Sequence, residues 1–130
     1  VRVERYELIP DSGGAGKHRG GLGLRRDLRI LTDRARLTLL ADRMKFGPYG
    51  LHGGAQGSYT EVFVNPGTTK ERKLPSKVTG VVLERGDIVS FRTSGGGGWG
   101  NPHERDRAAV RQDIALGKIS VQAATDIYAL

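Results

Sequence analysis

The chain has 130 residues, a net charge of +7 and 20 glycines, but no cysteine and only 37% hydrophobic residues. This length fits one ordinary domain with a thin core, and the absence of cysteine excludes disulfide bridges and thiolate catalysis by this chain. We expect a single domain over residues 1–130, with a β-rich part at 1–102 and a helical tail at 103–130. Neither a signal peptide nor a long apolar run is present, so we expect a cytoplasmic protein.

The first third of the chain predicts three strands. Residues 1–9 alternate between apolar and charged side chains, which predicts a strand. Residues 11–21 contain five glycines and predict a loop. Apolar side chains occupy alternate positions over residues 22–32 and again over 35–41. Residues typical of a turn separate the two segments. We therefore predict that residues 22–42 form a β-hairpin with one apolar face and one arginine-rich face.

The middle of the chain predicts further short strands separated by glycine-rich loops. Glycines and a proline mark 45–58 as a loop, and Asn-Pro-Gly at 65–67 as a turn. A second glycine-rich loop, with four consecutive glycines, follows the last predicted strand. The predicted strands of this region are 59–64, 78–83 and 88–93, and the loop is 94–102.

The tail changes to a helical period. Asp106 is placed to cap a helix that ends near Leu116, and Gly117 follows as a stop. Ser120 is placed to cap a second short helix. The chain as a whole predicts a mainly β fold: a small antiparallel β-sandwich or barrel-like domain of six to eight short strands with two short C-terminal helices.

Residues that commonly perform catalysis are sparse. His18, His52 and His103 are each isolated in sequence, and no spacing typical of metal ligands occurs, so we expect no metal site in this chain. Ser12 and Ser94 lie beside glycines, but neither occurs in Gly-x-Ser-x-Gly. These patterns do not support an independent serine hydrolase.

The two glycine-rich loops are the most informative feature of the sequence. Consecutive glycines can turn successive backbone N–H groups inward and form an anion-binding concavity, for which Lys17 and Arg19 provide suitable charge. Neither loop matches a nucleotide-binding fingerprint. The alternative is that the glycines let the backbone pack tightly against another surface. A second pair, Asp42 and Arg43 at a predicted strand end, could hold a neighbouring loop or shape a site.

Short motifs with a fixed order and spacing extend along essentially all 130 residues. Together they resemble the C-terminal region of the hydantoinase B/5-oxoprolinase family. Two departures are small: Trp99 stands where another aromatic such as Tyr is common, and Ser94 where Pro is common. The motifs occupy residues 4–8, 10–16, 19–23, 42–43, 50–54, 65–67, 74–77, 86–87, 93–102 and 104–106, and the tail from 113 to 128.

The resemblance implies a part in ATP-dependent hydrolysis of cyclic amides, such as 5-oxoproline or hydantoins. The resemblance implies two partners. One is the remainder of a B-type subunit, and the other is an A-type subunit or domain that handles ATP. It also implies ATP and a divalent metal in the complete enzyme, with neither bound by this chain alone, because the metal ligands of relatives lie upstream. We therefore expect a C-terminal fragment of a B-type subunit that is inactive in isolation.

The resemblance further suggests scaffold or cleft-edge positions, while no catalytic residue is assigned. One alternative is a non-catalytic assembly domain of a related acetone- or acetophenone-type carboxylase, with Val110 and Ile114 at subunit contacts. A less favoured alternative is a basic nucleic-acid-binding module, since the aromatic residues do not interleave with the basic ones. The ligand or cleft-edge candidates are Asp11, Ser12, Gly13, Gly14, Arg19, Gly20, Gly21, Asp42, Arg43, Gly95, Gly96, Gly97 and Gly98.

Overall fold

The computed structural model describes all 130 residues and contains seven strands in two antiparallel sheets, without a closed barrel. A 3-10 helix at Pro102–Glu104 and two short α-helices follow the last strand. The mainly β prediction, with six to eight strands and two C-terminal helices, is confirmed. The elements are β1 (Arg2–Leu8), β2 (Leu24–Arg29), β3 (Arg34–Leu40), β4 (Glu61–Val64), β5 (Arg72–Lys73), β6 (Lys77–Glu84), β7 (Ile88–Arg92), α1 (Arg107–Ala115) and α2 (Val121–Asp126).

The strands pair differently from the sequence prediction. The larger sheet has the order β1-β2-β7-β4-β5, and the smaller sheet consists of β3 and β6. The predicted hairpin over 22–42 is therefore wrong, because β2 pairs with β1 and β7 while β3 pairs with β6. Alternation of side chains fixes which face of a strand is buried but not which strand lies beside it.

The main core lies between the two sheets. Apolar residues of β4 and β7 from the larger sheet contact apolar residues of β3 and β6 from the smaller one. Each fully buried valine or leucine contributes roughly 1.5–3 kcal/mol relative to an exposed one. The eight buried members are Ile30, Leu39, Val62, Val64, Leu74, Val81, Leu83 and Val89.

The helical tail forms a second, smaller core against the first glycine-rich loop. Val110, Ile119, Ala124 and Tyr128 of the tail form one buried cluster with Ala15 of that loop. The predicted caps are confirmed at both helices. The side chain of Asp106 accepts from the Ala108 N–H, the side chain of Ser120 accepts from the Ala123 N–H, and Gly117 after α1 has a φ of 65°.

The second core corrects one expectation. Val110 is only 1% exposed and is packed inside this chain, so its predicted place at a subunit contact is wrong. Ile114 is half-buried against the same cluster. None of the helices is both long enough and apolar enough to cross a membrane.

Candidate functional site

Three glycine-rich segments, residues 11–23, 47–57 and 94–100, pack backbone against backbone, and we refer to them together as the glycine cluster. These segments are not regular strands, but their backbone N–H and carbonyl groups form hydrogen bonds from one segment to another. Each segment is bonded to both of the others. The bonds that join the segments include Gly14 N to Gly96 O (2.8 Å), Gly96 N to Gly21 O (2.8 Å), Ala55 N to Ala15 O (2.7 Å) and Gly98 N to Ala55 O (2.9 Å).

The close approach of the three segments requires glycine at particular positions. A Cβ atom on Gly98 would lie 2.1 Å from the carbonyl oxygen of Ala15, and one on Gly97 would lie 1.9 Å from that of Tyr49. Both distances are far inside van der Waals contact, and the opposing atoms belong to backbone that cannot rotate away. Here the glycines act as spacers between chain segments.

Eight of the candidate glycines come together in the cluster: Gly13, Gly14, Gly20, Gly21 and Gly95 to Gly98. Several of their N–H groups are consumed internally. The N–H of Gly20 donates to the Gly14 carbonyl, and that of Gly95 donates to the Ser58 hydroxyl. This geometry supports the tight-packing alternative over an anion concavity, while ligand contact at these glycines stays a prediction.

Asp11 and Ser12 fasten the base of the first segment. The Ser12 hydroxyl donates to the Ile9 carbonyl (2.5 Å) and accepts from the Gly23 N–H (2.8 Å), which closes the loop upon itself. The Asp11 carboxylate accepts from the Ser120 N–H (2.9 Å) and so ties the loop to the start of α2. Both side chains are engaged in holding backbone.

Arg19 belongs to a buried charge network centred on Asp113 of α1. Arg19 donates to both carboxylate oxygens of Asp113 (2.9 and 3.2 Å), and Arg105 donates to one of them (2.9 Å). The same guanidinium groups donate to backbone, Arg19 to the Gly20 carbonyl and Arg105 to that of Lys17. The network therefore joins the tail to the glycine cluster.

The electrostatics of this network follow from its burial. The Asp113 side chain is only 6% exposed, and those of Arg19 and Arg105 are 12% and 13% exposed. Burial opposes ionisation of Asp113, but the hydrogen bond from Arg19 and the charges of both arginines outweigh it and lower the pKa of Asp113. The hydrogen bond to Asp113 in turn raises the pKa of Arg19. The Nε atom of Arg105 is buried without a partner.

Asp42 and Arg43 lie apart from the glycine cluster. They follow β3 and line an open cleft of about 810 Å³ together with residues 73–77. Neither side chain belongs to any of the ten ion pairs of the chain, so they do not form the mutual pair that could have held a loop. The carbonyl of Arg43 accepts from the Thr60 N–H (3.0 Å), which joins this turn to the chain before β4.

Sequence reasoning missed an aromatic group at the edge of the glycine cluster. Trp99 is 44% exposed and lies between His18 and His52, with ring centroids 5.6 and 5.3 Å away. The two histidines are isolated in sequence, but each lies in a different glycine segment, and the packing of those segments brings them together. The Leu51-His52-Gly53-Gly54 stretch was the available signal that 47–57 belongs with the other two segments.

The chain contains no group of three or more histidine, aspartate or glutamate side chains arranged to hold a metal ion. The carboxylates near the glycine cluster are already committed, Asp113 to two arginines and Asp11 to a backbone N–H. The side chains present therefore do not fit a divalent metal here.

Comparison with known proteins gives consistent matches. A sequence model of the hydantoinase B/oxoprolinase family matches residues 1–102. The uncharacterized protein MJ0963 of Methanocaldococcus jannaschii is 42% identical over 98% of this chain, and the putative B-type D-/L-hydantoinase polypeptide of a Pseudomonas species is 33% identical over 98%. The ATP-dependent caprolactamase of Pseudomonas jessenii has a crystal structure that matches 96% of this chain with a TM-score of 0.79 and 27% identity. The chain spans about 22% of the length of each of these three proteins.

Proposed function

The chain belongs to the hydantoinase B/oxoprolinase family, and from that premise we propose that it serves as a framework domain of a B-type subunit. In this proposal the complete enzyme hydrolyses a cyclic amide, such as 5-oxoproline or a hydantoin, at the expense of ATP. An A-type subunit or domain handles ATP, and the remainder of the B-type subunit completes the reaction site. The name of the matched caprolactamase, which is an ATP-dependent enzyme, supports the coupling to ATP.

The glycine cluster is the observation that carries the proposal for this chain. Three backbone segments are held at contact distance without intervening side chains, and a buried arginine–aspartate network locks the tail against them. Such an arrangement is rigid, and rigidity in a supporting element keeps the groups around a reaction site in their productive geometry. The framework role agrees with the lack of any group of three or more side chains placed to hold a metal ion.

The Trp99 surface is where we place the contact with the rest of the enzyme. Large aromatic side chains that remain exposed are enriched at the centres of protein interfaces. Trp99 lies at the edge of the glycine cluster and is flanked by the imidazoles of His18 and His52. Leu51, which bridges to Trp99 and is 52% exposed, extends the apolar surface.

The test is a product balance on the assembled enzyme. The A-type subunit and the complete B-type subunit are mixed with ATP and, in turn, 5-oxoproline, hydantoin or caprolactam, and the release of ADP and of the ring-opened product is measured. We expect ADP and product in equal amounts with at least one cyclic amide. ADP release that instead requires a ketone and bicarbonate would replace the hydrolase assignment with a carboxylase.

A further inference from the structure

We propose that the cleft between residues 41–46 and 73–77 binds a phosphoryl-type oxyanion. The cleft is open, has a volume of about 810 Å³ and shares no lining residue with the glycine cluster. This proposal rests on the cleft alone and is independent of the proposed function. Its test is a binding measurement, which needs neither a partner subunit nor turnover.

The charge of the cleft is the first argument. Its lining includes four cationic side chains, and only one of them, Lys73, has an ion-pair partner, Glu61 at 2.6 Å. The lining contains a single carboxylate, that of Asp42. Positive charges that lack a nearby negative partner on a concave surface concentrate the electrostatic field and attract anions. The cations are Arg43, Lys45, Lys73 and Lys77.

The backbone of the cleft is the second argument. The N–H groups of residues 42–46 donate to no backbone carbonyl, although the adjoining Ala41 N–H donates to the Ser76 carbonyl at 2.7 Å. Arg43 has a φ of 61°, in the left-handed region that a non-glycine residue adopts at some energetic cost. A left-handed residue within a bend turns successive N–H groups to one side, and such concavities bind anions. Backbone N–H groups without a carbonyl partner therefore occur in the same bend as Arg43 and Lys45, which have no ion-pair partner.

The class of anion follows from the number and kind of donors. A phosphoryl group offers three oxygens at one centre and accepts from several N–H groups at once, and lysine binds it as a point charge. The lining also has apolar side chains: Ala41, Met44, the buried Leu74 and the exposed Phe46. That surface accommodates an organic group attached to the phosphoryl, and free phosphate would use the donors alone.

The experiment is a titration of the isotope-labelled chain with pyrophosphate, followed by amide chemical shifts at constant ionic strength. We expect saturable shifts concentrated at the amides of 42–46. Substituting both Lys45→Gln and Lys77→Gln should weaken binding about tenfold, since two exposed charge contacts to the anion are lost. The matched control, Lys70→Gln with Lys118→Gln, removes the same charge outside the cleft and should leave the affinity unchanged.

Further variants and probes separate the contributions. Arg43→Gly removes the guanidinium but permits the left-handed backbone, so it should weaken binding severalfold while the same amides still shift. Inorganic phosphate and phenyl phosphate distinguish the two sources of the phosphoryl group: tighter binding of phenyl phosphate supports an organic ligand, and equal binding supports free phosphate.

Two results would overturn the proposal. One is a response that does not saturate, or that is equal in the cleft variant and in its control. The other is saturation by a hexaglutamate peptide at lower concentration than by pyrophosphate, which would assign the cleft to an acidic protein segment.

Discussion

At the scale of single residues, the neighbours Gly20 and Gly21 have opposite surroundings. A Cβ atom on Gly20 would lie 2.1 Å from the Gly96 carbonyl oxygen, whereas one on Gly21 would meet nothing within 4 Å. We predict that Gly20→Ala destabilises the chain by about 2 kcal/mol or more, as expected for overpacking against backbone. Gly21→Ala should change stability by less than about 0.5 kcal/mol. Urea unfolding of both variants measures the difference, and equal losses would contradict the packing role.

Asp113 gives a second residue-scale prediction. Asp113→Asn leaves two buried arginines without their carboxylate, so we expect a loss of about 3 kcal/mol in the free energy of unfolding. The matched control is Asp106→Asn, which removes the same charge at the cap of α1, where asparagine caps equally well. The free energy of unfolding of the control, measured by chemical denaturation, should remain close to that of the parent chain.

The lowered pKa of Asp113 also predicts a pH dependence. Burial alone would raise this pKa, but the hydrogen bond and charge of Arg19 and the charge of Arg105 lower it below its value in the unfolded chain. The stabilisation is therefore complete above the unfolded value, about 4, and is lost as the pH falls through the lower folded value. We expect the stability of Asp113→Asn to depend less on pH below about 4 than that of the parent. If the free energy of unfolding changed with pH equally in the parent chain and in Asp113→Asn, Asp113 would not be the source of this pH dependence.

The residue scale also shows what the sequence reveals about the site. The runs of glycine at residues 11–23 and 94–100 left two interpretations open, an anion-binding concavity or tight packing against another surface, and the structure shows tight packing within the chain. The sequence did not reveal that they contact each other, or that 47–57 joins them, because a missing side chain carries no information about its partner. Arg19 was singled out for its charge, but its partner Asp113 lies 94 positions away.

At the scale of elements, local patterns predicted strands and caps, and distant contacts decided their pairing. The helices are capped by Asp106 and Ser120 as predicted, because capping depends on residues within one turn. The β2–β3 hairpin failed because both strands have nonlocal partners. Asp27 shares the parity of the predicted arginine-rich face of β2, yet it is buried beside Ser90 and paired with Arg25.

The helical tail gives an element-scale prediction. Its attachment depends on Val110 in the second core, whereas Leu116 at the end of α1 is 58% exposed. Val110→Asp places a charge in that core and should release the tail, so that amides of residues 107–126 lose protection in hydrogen exchange while β2 and β7 retain it. Leu116→Asp should leave the tail protected. Uniform loss of protection in both sheets and tail would mean that the tail is no separate unit.

At the scale of the whole molecule, the surface suggests a part of a larger assembly. All seven residues of β1 are exposed, among them Val3, Tyr6 and Leu8, and no strand pairs with its outer edge. Native proteins rarely leave such an edge free. Together with the exposed Trp99, this supports the proposal that the chain acts within a longer B-type subunit.

The most direct test of the framework role is an add-back measurement of cyclic-amide-dependent ADP release. The A-type subunit is combined with a B-type subunit that lacks the segment equivalent to residues 1–130, and this chain is then supplied in equal amount. We predict no turnover by the chain alone, little by the truncated enzyme, and recovery when the two are combined. Turnover by the chain alone, or full turnover by the truncated enzyme without it, would contradict the account.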